Sequence, residues 1–138
     1  MQWHRDGFTI STDMDRLDLA FTVDYLARTY WGEGTAKEKI RQSIRNALNF
    51  GLYRDDGRQV GFTRVVTDYA RFAWLSDVFV IDDLRGRDLG KWLVECAVNH
   101  PDLAGMSRFL LATADAHGLY RQFGFEALAQ PEHFMLKA

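Results

Sequence analysis

Apolar positions along the chain change their period several times, and each change marks an element. Phe8–Ser11 alternates as a short strand, and from about Asp15 to Arg28 the apolar residues Leu19, Val23, Leu26 and Ala27 recur near helical spacing. TYWGEG breaks that helix. A second runs over Ala36–Leu48 with Ile40, Ile44, Ala47 and Leu48 on one side. Three runs rich in aromatic and β-branched residues follow: LNFGLYR, GRQVGFTRVVT and RFAWLSDVFVI. Asp55-Asp56-Gly57 makes a hairpin turn between the first two and DYA a short link between the last two, so the three form an antiparallel meander.

Beyond the meander the period returns to that of a helix. Leu89, Trp92, Leu93, Cys96 and Ala97 fall on one face, and His100-Pro101 ends the run. A strand is predicted over Arg108–Thr113, then a short helix carrying Ala116, Leu119, Tyr120 and Phe123 before Gly124, and two last strands at Phe125–Leu128 and His133–Leu136. The predicted order is β-α-α-β-β-β-α-β-α-β-β, an α/β (α+β) domain with a mixed, mostly antiparallel sheet flanked by helices.

Composition narrows the function classes. At 138 residues, with 47% hydrophobic and 26% charged positions, the chain fits one domain spanning residues 1–138. A net charge of −2 argues against nucleic acid as a partner, which calls for a basic face. The single cysteine, Cys96, rules out an intrachain disulfide, and no apolar run reaches the ~18 residues of a membrane span. With no apolar stretch near the N-terminus, the expectation is a soluble, cytoplasmic protein without a membrane partner. The histidines at 4, 100, 117 and 133 lack metal-ligand spacing, so no metal is expected.

The segment VFVIDDLRGRDLGKWLV holds the densest chemistry. A strand feeds a helix through glycines, where unpaired backbone N–H groups and the helix dipole favour an anion. Gly86 allows close backbone approach, and Arg85, Arg87 and Lys91 add positive charge. Lys91 is followed by Trp92 rather than Ser or Thr, which excludes a Walker loop, and two glycines are too few for a dinucleotide fingerprint. Taken alone, the joint is a weak signal that fits a merely tight, solvated turn somewhat better than an anion site.

That stretch resembles motif A of the GNAT acyltransferase superfamily, in which a strand leads through Arg-Gly-x-Gly-x-Gly into a helix. TADAHGLYRQFGFEAL resembles the superfamily's later segment, with a Tyr three residues before an apolar-Gly-Phe end. The resemblance implies acetyl-coenzyme A as cosubstrate. The main chain of Val78, Phe79 and Val80 would pair with pantetheine, and Arg85, Gly86, Arg87, Asp88, Leu89, Gly90 and Lys91 would surround the pyrophosphate. Asp88 stands where the pattern has its middle glycine, and a carboxylate ~5 Å from phosphate costs about 3 kcal/mol at an effective dielectric near 20. It is expected to turn back as an N-cap, or else to pair with Arg85 or Arg87. Thr113 stands where the family often has Asn near the coenzyme.

The resemblance also implies amide-forming acyl transfer in a ternary complex to a small-molecule or peptide amine, with Tyr120 as the acid that protonates the leaving thiolate; by spacing alone Tyr120 is a core residue. Asp77 is a candidate base. Strand alternation puts it on the face of Leu75 and Phe79, and its other reading is an ion pair with Arg64 or Arg71. Trp31, Glu33, Asp68 and Tyr69 are loop residues suited to a cationic acceptor, or ordinary loop positions. The rival functions are a noncatalytic acyl-coenzyme A sensor and a purely structural partner-binding domain. A monomer and a homodimer are both open.

Overall fold

The computed structural model describes all 138 residues. Its elements are β1 (Gln2–Arg5), β2 (Phe8–Ser11), α1 (Leu19–Arg28), α2 (Lys37–Arg45), β3 (Leu48–Arg54), β4 (Gln59–Thr67), β5 (Phe72–Val80), α3 (Leu89–Val98), β6 (Arg108–Leu110) and α4 (His117–Arg121). The strands form one six-stranded sheet in sequence order, antiparallel from β1 to β5, with β6 parallel to β5.

The ends of the chain depart from the predicted order. β1 is an additional strand, joined to β2 by Asp6 and Gly7 at φ 49° and 84°, the two left-handed residues a tight hairpin turn requires. α1 begins later than its apolar period suggests. The Asp13 carboxylate accepts from the N–H of Asp15 at 2.9 Å, and Asp18 caps the helix by accepting from the Phe21 N–H at 3.1 Å. Short polar side chains there bind the backbone in turns rather than extend the helix. β6 stops at Leu110, and neither predicted C-terminal strand forms. Residues 125–138 find no neighbouring strand in this chain.

Helices cover both faces of the sheet. On one, Trp92, Leu93, Cys96 and Ala97 of α3 pack on Phe50, Leu52, Val65 and Leu75. On the other, Val23 and Leu26 of α1 and Ile40 and Ile44 of α2 enclose Phe62 and Phe79, and Tyr25 stacks on the Phe79 ring at 3.9 Å. No helix is long and apolar enough to cross a membrane.

The sheet carries a defect that shapes everything near the site. Between the pairs Phe62↔Phe79 and Arg64↔Ser76 the register slips by a residue, and Asp77, inside the slip, is left-handed at φ 59°. Such a bulge reverses the phase of the strand. Ala73 and Leu75 face α3 before it, and Val80 faces α3 after it. Alternation therefore mispredicts the strand: Leu75 and Phe79 lie in different cores, and Asp77 shares a side with Phe79 only.

Candidate active site

β5 and β6 are paired only over Phe72–Trp74 and Arg108–Leu110. Beyond that the chains diverge, and the edge of β5 through Val78, Phe79 and Val80 has no strand beside it. Two clefts open along this splay. The first, about 940 Å³, runs between the α1–α2 segment at Tyr30 and Trp31, the sheet at Arg64 and Trp74, and the stretch from Leu111 to Ala116. The second, about 890 Å³, is bounded by Val78 to Val80 and the β5–α3 joint. They share Tyr30, Trp31, Val78, Asp115 and Leu119, so they form two chambers of one groove.

At the joint the backbone is a polarised cup. The first intrahelical bond of α3 runs from the Trp92 N–H to the Asp88 carbonyl at 3.0 Å, and no backbone N–H from Gly86 to Lys91 has a protein acceptor. Gly86 at φ 84° and Asp88 at φ 59° are left-handed on either side of Arg87, so the backbone turns sharply just before α3, where its free N–H groups can meet an anion. The charges of this cup are mixed. Arg28, Arg85 and Lys91 line the same chamber as Asp82, Asp88 and Asp115, so the unpaired N–H groups rather than net charge make the site attractive to a diphosphate. Arg85 touches Asp82 at 3.0 Å, a pair so exposed that the guanidinium remains available.

Asp88 corrects its expectation. It occupies the position before the helix with a left-handed backbone, and it makes neither a cap bond nor an ion pair with Arg85 or Arg87. The middle-glycine position demands φ > 0, and Asp88 meets that demand at a steric cost a glycine avoids.

Asp77 is held on both oxygens. Arg64 Nε donates to Oδ2 at 2.6 Å and Trp31 Nε1 donates to Oδ1 at 2.8 Å. Of the two readings open in the sequence, the geometry is that of the ion pair, with Arg64 as the partner. Its side chain is 12% exposed and that of Arg64 is 16%, so the pair is largely shielded from water. Through it the α1–α2 segment is fastened across the sheet, and Trp31 stands at the junction of the chambers.

Tyr120 lines the first chamber. Burial, and secondarily the Asp115 carboxylate, push its hydroxyl above the ordinary phenol range, so it stays a proton donor at neutral pH. The Thr113 hydroxyl accepts from the Ala116 N–H at 3.0 Å and shapes the turn that presents α4.

Most of the sequence candidates converge. Val78, Phe79, Val80, Arg85, Gly86, Asp88, Leu89, Gly90 and Lys91 line the second chamber, and Asp77, Thr113 and Tyr120 line the first. Arg87, Glu33, Asp68 and Tyr69 line neither. Asp68 closes the β4–β5 turn instead. Its carboxylate accepts from the N–H groups of Arg71, Ala70 and Phe72, and those bonds hold its pKa below the usual value. Sequence reasoning missed Asp115, Tyr30, Trp74, Lys39 and Ser43. Only Asp115, five residues before Tyr120 and just ahead of α4, had a local signal; the others reach the groove through tertiary packing.

The comparisons agree with this geometry. The family model for the acetyltransferase (GNAT) domain matches residues 46–127, which holds the splay, the joint and Tyr120. A GNAT-family protein of Xanthomonas campestris pv. campestris, provisionally assigned as an acetyltransferase, has a crystal structure with a TM-score of 0.92 and 40% identity over 98% of this chain and 95% of its own. A curated protein of Gibberella zeae, also a provisional acetyltransferase, is 24% identical over 86% of this chain and 78% of its own. A Clostridium acetobutylicum protein solved with acetyl-CoA has the same fold at a TM-score of 0.68 and 11% identity, with 100% of this chain and 96% of that one covered. The splayed sheet, the unpaired joint and the extent of these matches together mean that the chain belongs to the GNAT acetyltransferase family.

Proposed function

We propose that the protein transfers the acetyl group of acetyl-coenzyme A to a small-molecule or peptide amine by direct attack, with both substrates bound at once. The observation that carries this reading is the run of unpaired backbone N–H groups from Gly86 to Lys91 beside the open edge of β5. The pyrophosphate takes those donors, with Arg85 and Lys91 beside them, and pantetheine pairs along Val78 to Val80 as an added strand. Laid this way, the thioester points to the junction at Trp31 and Asp115, and the acceptor enters through the first chamber.

The amine nitrogen attacks the thioester carbonyl carbon, the new C–N bond forms and the C–S bond breaks. Tyr120, protonated at neutral pH, gives its proton to the departing sulfur and regains one that the nitrogen loses, directly or through water, as the amide forms. An amine with pKa ~10.4 is almost wholly protonated at pH 7 and must shed a proton first. Asp77 is committed to Arg64 and Trp31, which leaves Asp115, facing both chambers, as the carboxylate free to take that proton through water. Asp77 acts as a positioning group that holds Trp31 against the acceptor.

Tyr120→Phe separates this enzyme from a noncatalytic acyl-coenzyme A sensor. Expected is a fall of ~10-fold or more in kcat over a panel of amines, with calorimetric affinity for acetyl-coenzyme A unchanged. Wild-type protein that binds acetyl-coenzyme A and acetylates no amine would instead be a sensor. Failure to bind it would remove both readings.

A further inference from the structure

The walls of the first chamber carry unequal charge. Along α2 the cations find acids nearby: Lys37 meets Asp24 at 2.9 Å, and Glu38 takes both Arg41 and Arg45. Lys39 alone among them makes no ion pair, and it lines the chamber together with Ser43, one turn further along the helix.

The sheet supplies a second cation. Arg64 commits only its Nε to Asp77; its Nη2 comes no nearer than 3.5 Å to the Ser76 hydroxyl, and its Nη1 has no protein acceptor. The side chain is 16% exposed, so little bulk water reaches those donors. Asp77 is itself fixed by the Trp31 indole, which holds the guanidinium at one edge and leaves its other edge open to the chamber. A planar fork held in that way matches a carboxylate with two parallel hydrogen bonds.

Charge balance selects the anion. Two cations against the single carboxylate of Asp77 leave one net positive charge at this end, which suits a singly charged carboxylate better than a doubly charged phosphate. Asp115, on the wall formed by residues 111–116, makes no ion pair and reaches the junction of the chambers, where an amine is wanted. Ile40, Trp74 and Leu111 make much of the remaining lining apolar.

We propose, on the acetyl-transfer reading above, that the acceptor is a small amino carboxylate whose carboxylate is bound by the Nη edge of Arg64 and the ammonium of Lys39 while its amine turns to Asp115 and the thioester. Free amino acids with apolar or aromatic side chains have this form. Polyamines do not, since their second cation would meet Lys39 and Arg64. The carboxylate takes no part in the bonds made or broken, so its recognition is uniform binding and is read in KM and kcat/KM.

The test measures acetylation of a panel of apolar and aromatic amino acids beside the amide, the decarboxylated amine and the aminophosphonate of each, with calorimetry for acetyl-coenzyme A. Expected is a kcat/KM for the acid at least ~30-fold above that of the amide or the decarboxylated amine, the size of a charge-assisted contact in a shielded site. Intrinsic reactivity works against this preference, because the amide's amine is the less basic and the more often neutral near neutrality. Lys39→Gln and Arg64→Lys should each shrink the ratio ~10-fold or more, chiefly through KM, and Lys39→Arg should restore it; Arg64→Lys keeps a charge facing Asp77 but loses the fork. Equal use of acids, amides and polyamines overturns the proposal and leaves acetyl transfer standing. A preference for the phosphonate, or an acid preference that survives both substitutions, overturns it as well. Acetyl-coenzyme A bound with no amine of any class acetylated removes the proposal together with the transfer reading.

Discussion

Asp77→Asn isolates the link between the bulge and the acceptor wall. Asn keeps the shape, tolerates the left-handed backbone at φ 59°, and retains an oxygen for the Trp31 indole, so the lost quantity is the charge facing Arg64. A pair of unit charges about 4 Å apart is worth about 4 kcal/mol at an effective dielectric of 20, and a fully buried pair costs ~3–5 kcal/mol when one partner is removed. The residual exposure of 16% and 12% lets water recover part of that, which leaves an expected loss of about 2–3 kcal/mol. For a domain of this size that is a fall in Tm of roughly 8–12 °C. Urea titration would read it as a lower midpoint at unchanged slope. Arg64→Met removes the other charge, and the double variant should recover about 2 kcal/mol relative to the sum of the single changes. Tryptophan emission should barely move in Asp77→Asn but shift to the red in Asp77→Ala, which frees Trp31. A coupling energy below ~0.5 kcal/mol would refute the claim that this pair holds the groove together.

Asp88→Gly should relieve a strained backbone without forfeiting a cap, raising stability by about 1 kcal/mol. Removal of its carboxylate from the cup should also tighten acetyl-coenzyme A binding ~10-fold or more by calorimetry, and weaker binding would count against the cup as the diphosphate site. Burial pushes the Cys96 thiol from 9.0 up to about 12 and the Tyr53 hydroxyl from 10.0 up to about 12. A raised folded pKa means stability that is intact below the unfolded value and lost as pH climbs towards the folded one. Roughly 3 kcal/mol should therefore disappear between about pH 8 and 10.5, with Cys96→Val and Tyr53→Phe flattening the loss in denaturant titrations. At pH 7, Tyr53→Phe should be neutral or stabilising by ~1 kcal/mol, because that buried hydroxyl has no hydrogen-bond partner.

The sequence by itself determined whatever is encoded within a few residues. The apolar periods located α1, α2, α3 and the β3–β5 meander, because a stripe at helical or strand spacing can be buried in only one way. The glycines and cations at residues 85–91 marked the joint, since a helix start exposes the same donors in any fold. Element bounds were less legible where Asp13 and Asp18 competed for the backbone.

Only the tertiary structure decided which side chains share a face. One extra residue at the bulge reversed the phase of β5, separated Leu75 from Phe79 and delivered Asp77 to Arg64 and Trp31. No alternation rule anticipates such a slip, because it arises from pairing with β4 rather than from β5 itself. Lys39, Ser43 and Trp74 reached the groove in the same way, through contacts between elements distant in the chain. The C-terminal strand pattern went unfulfilled because alternation only prepares a strand for pairing, and the tertiary structure decides whether a partner edge meets it.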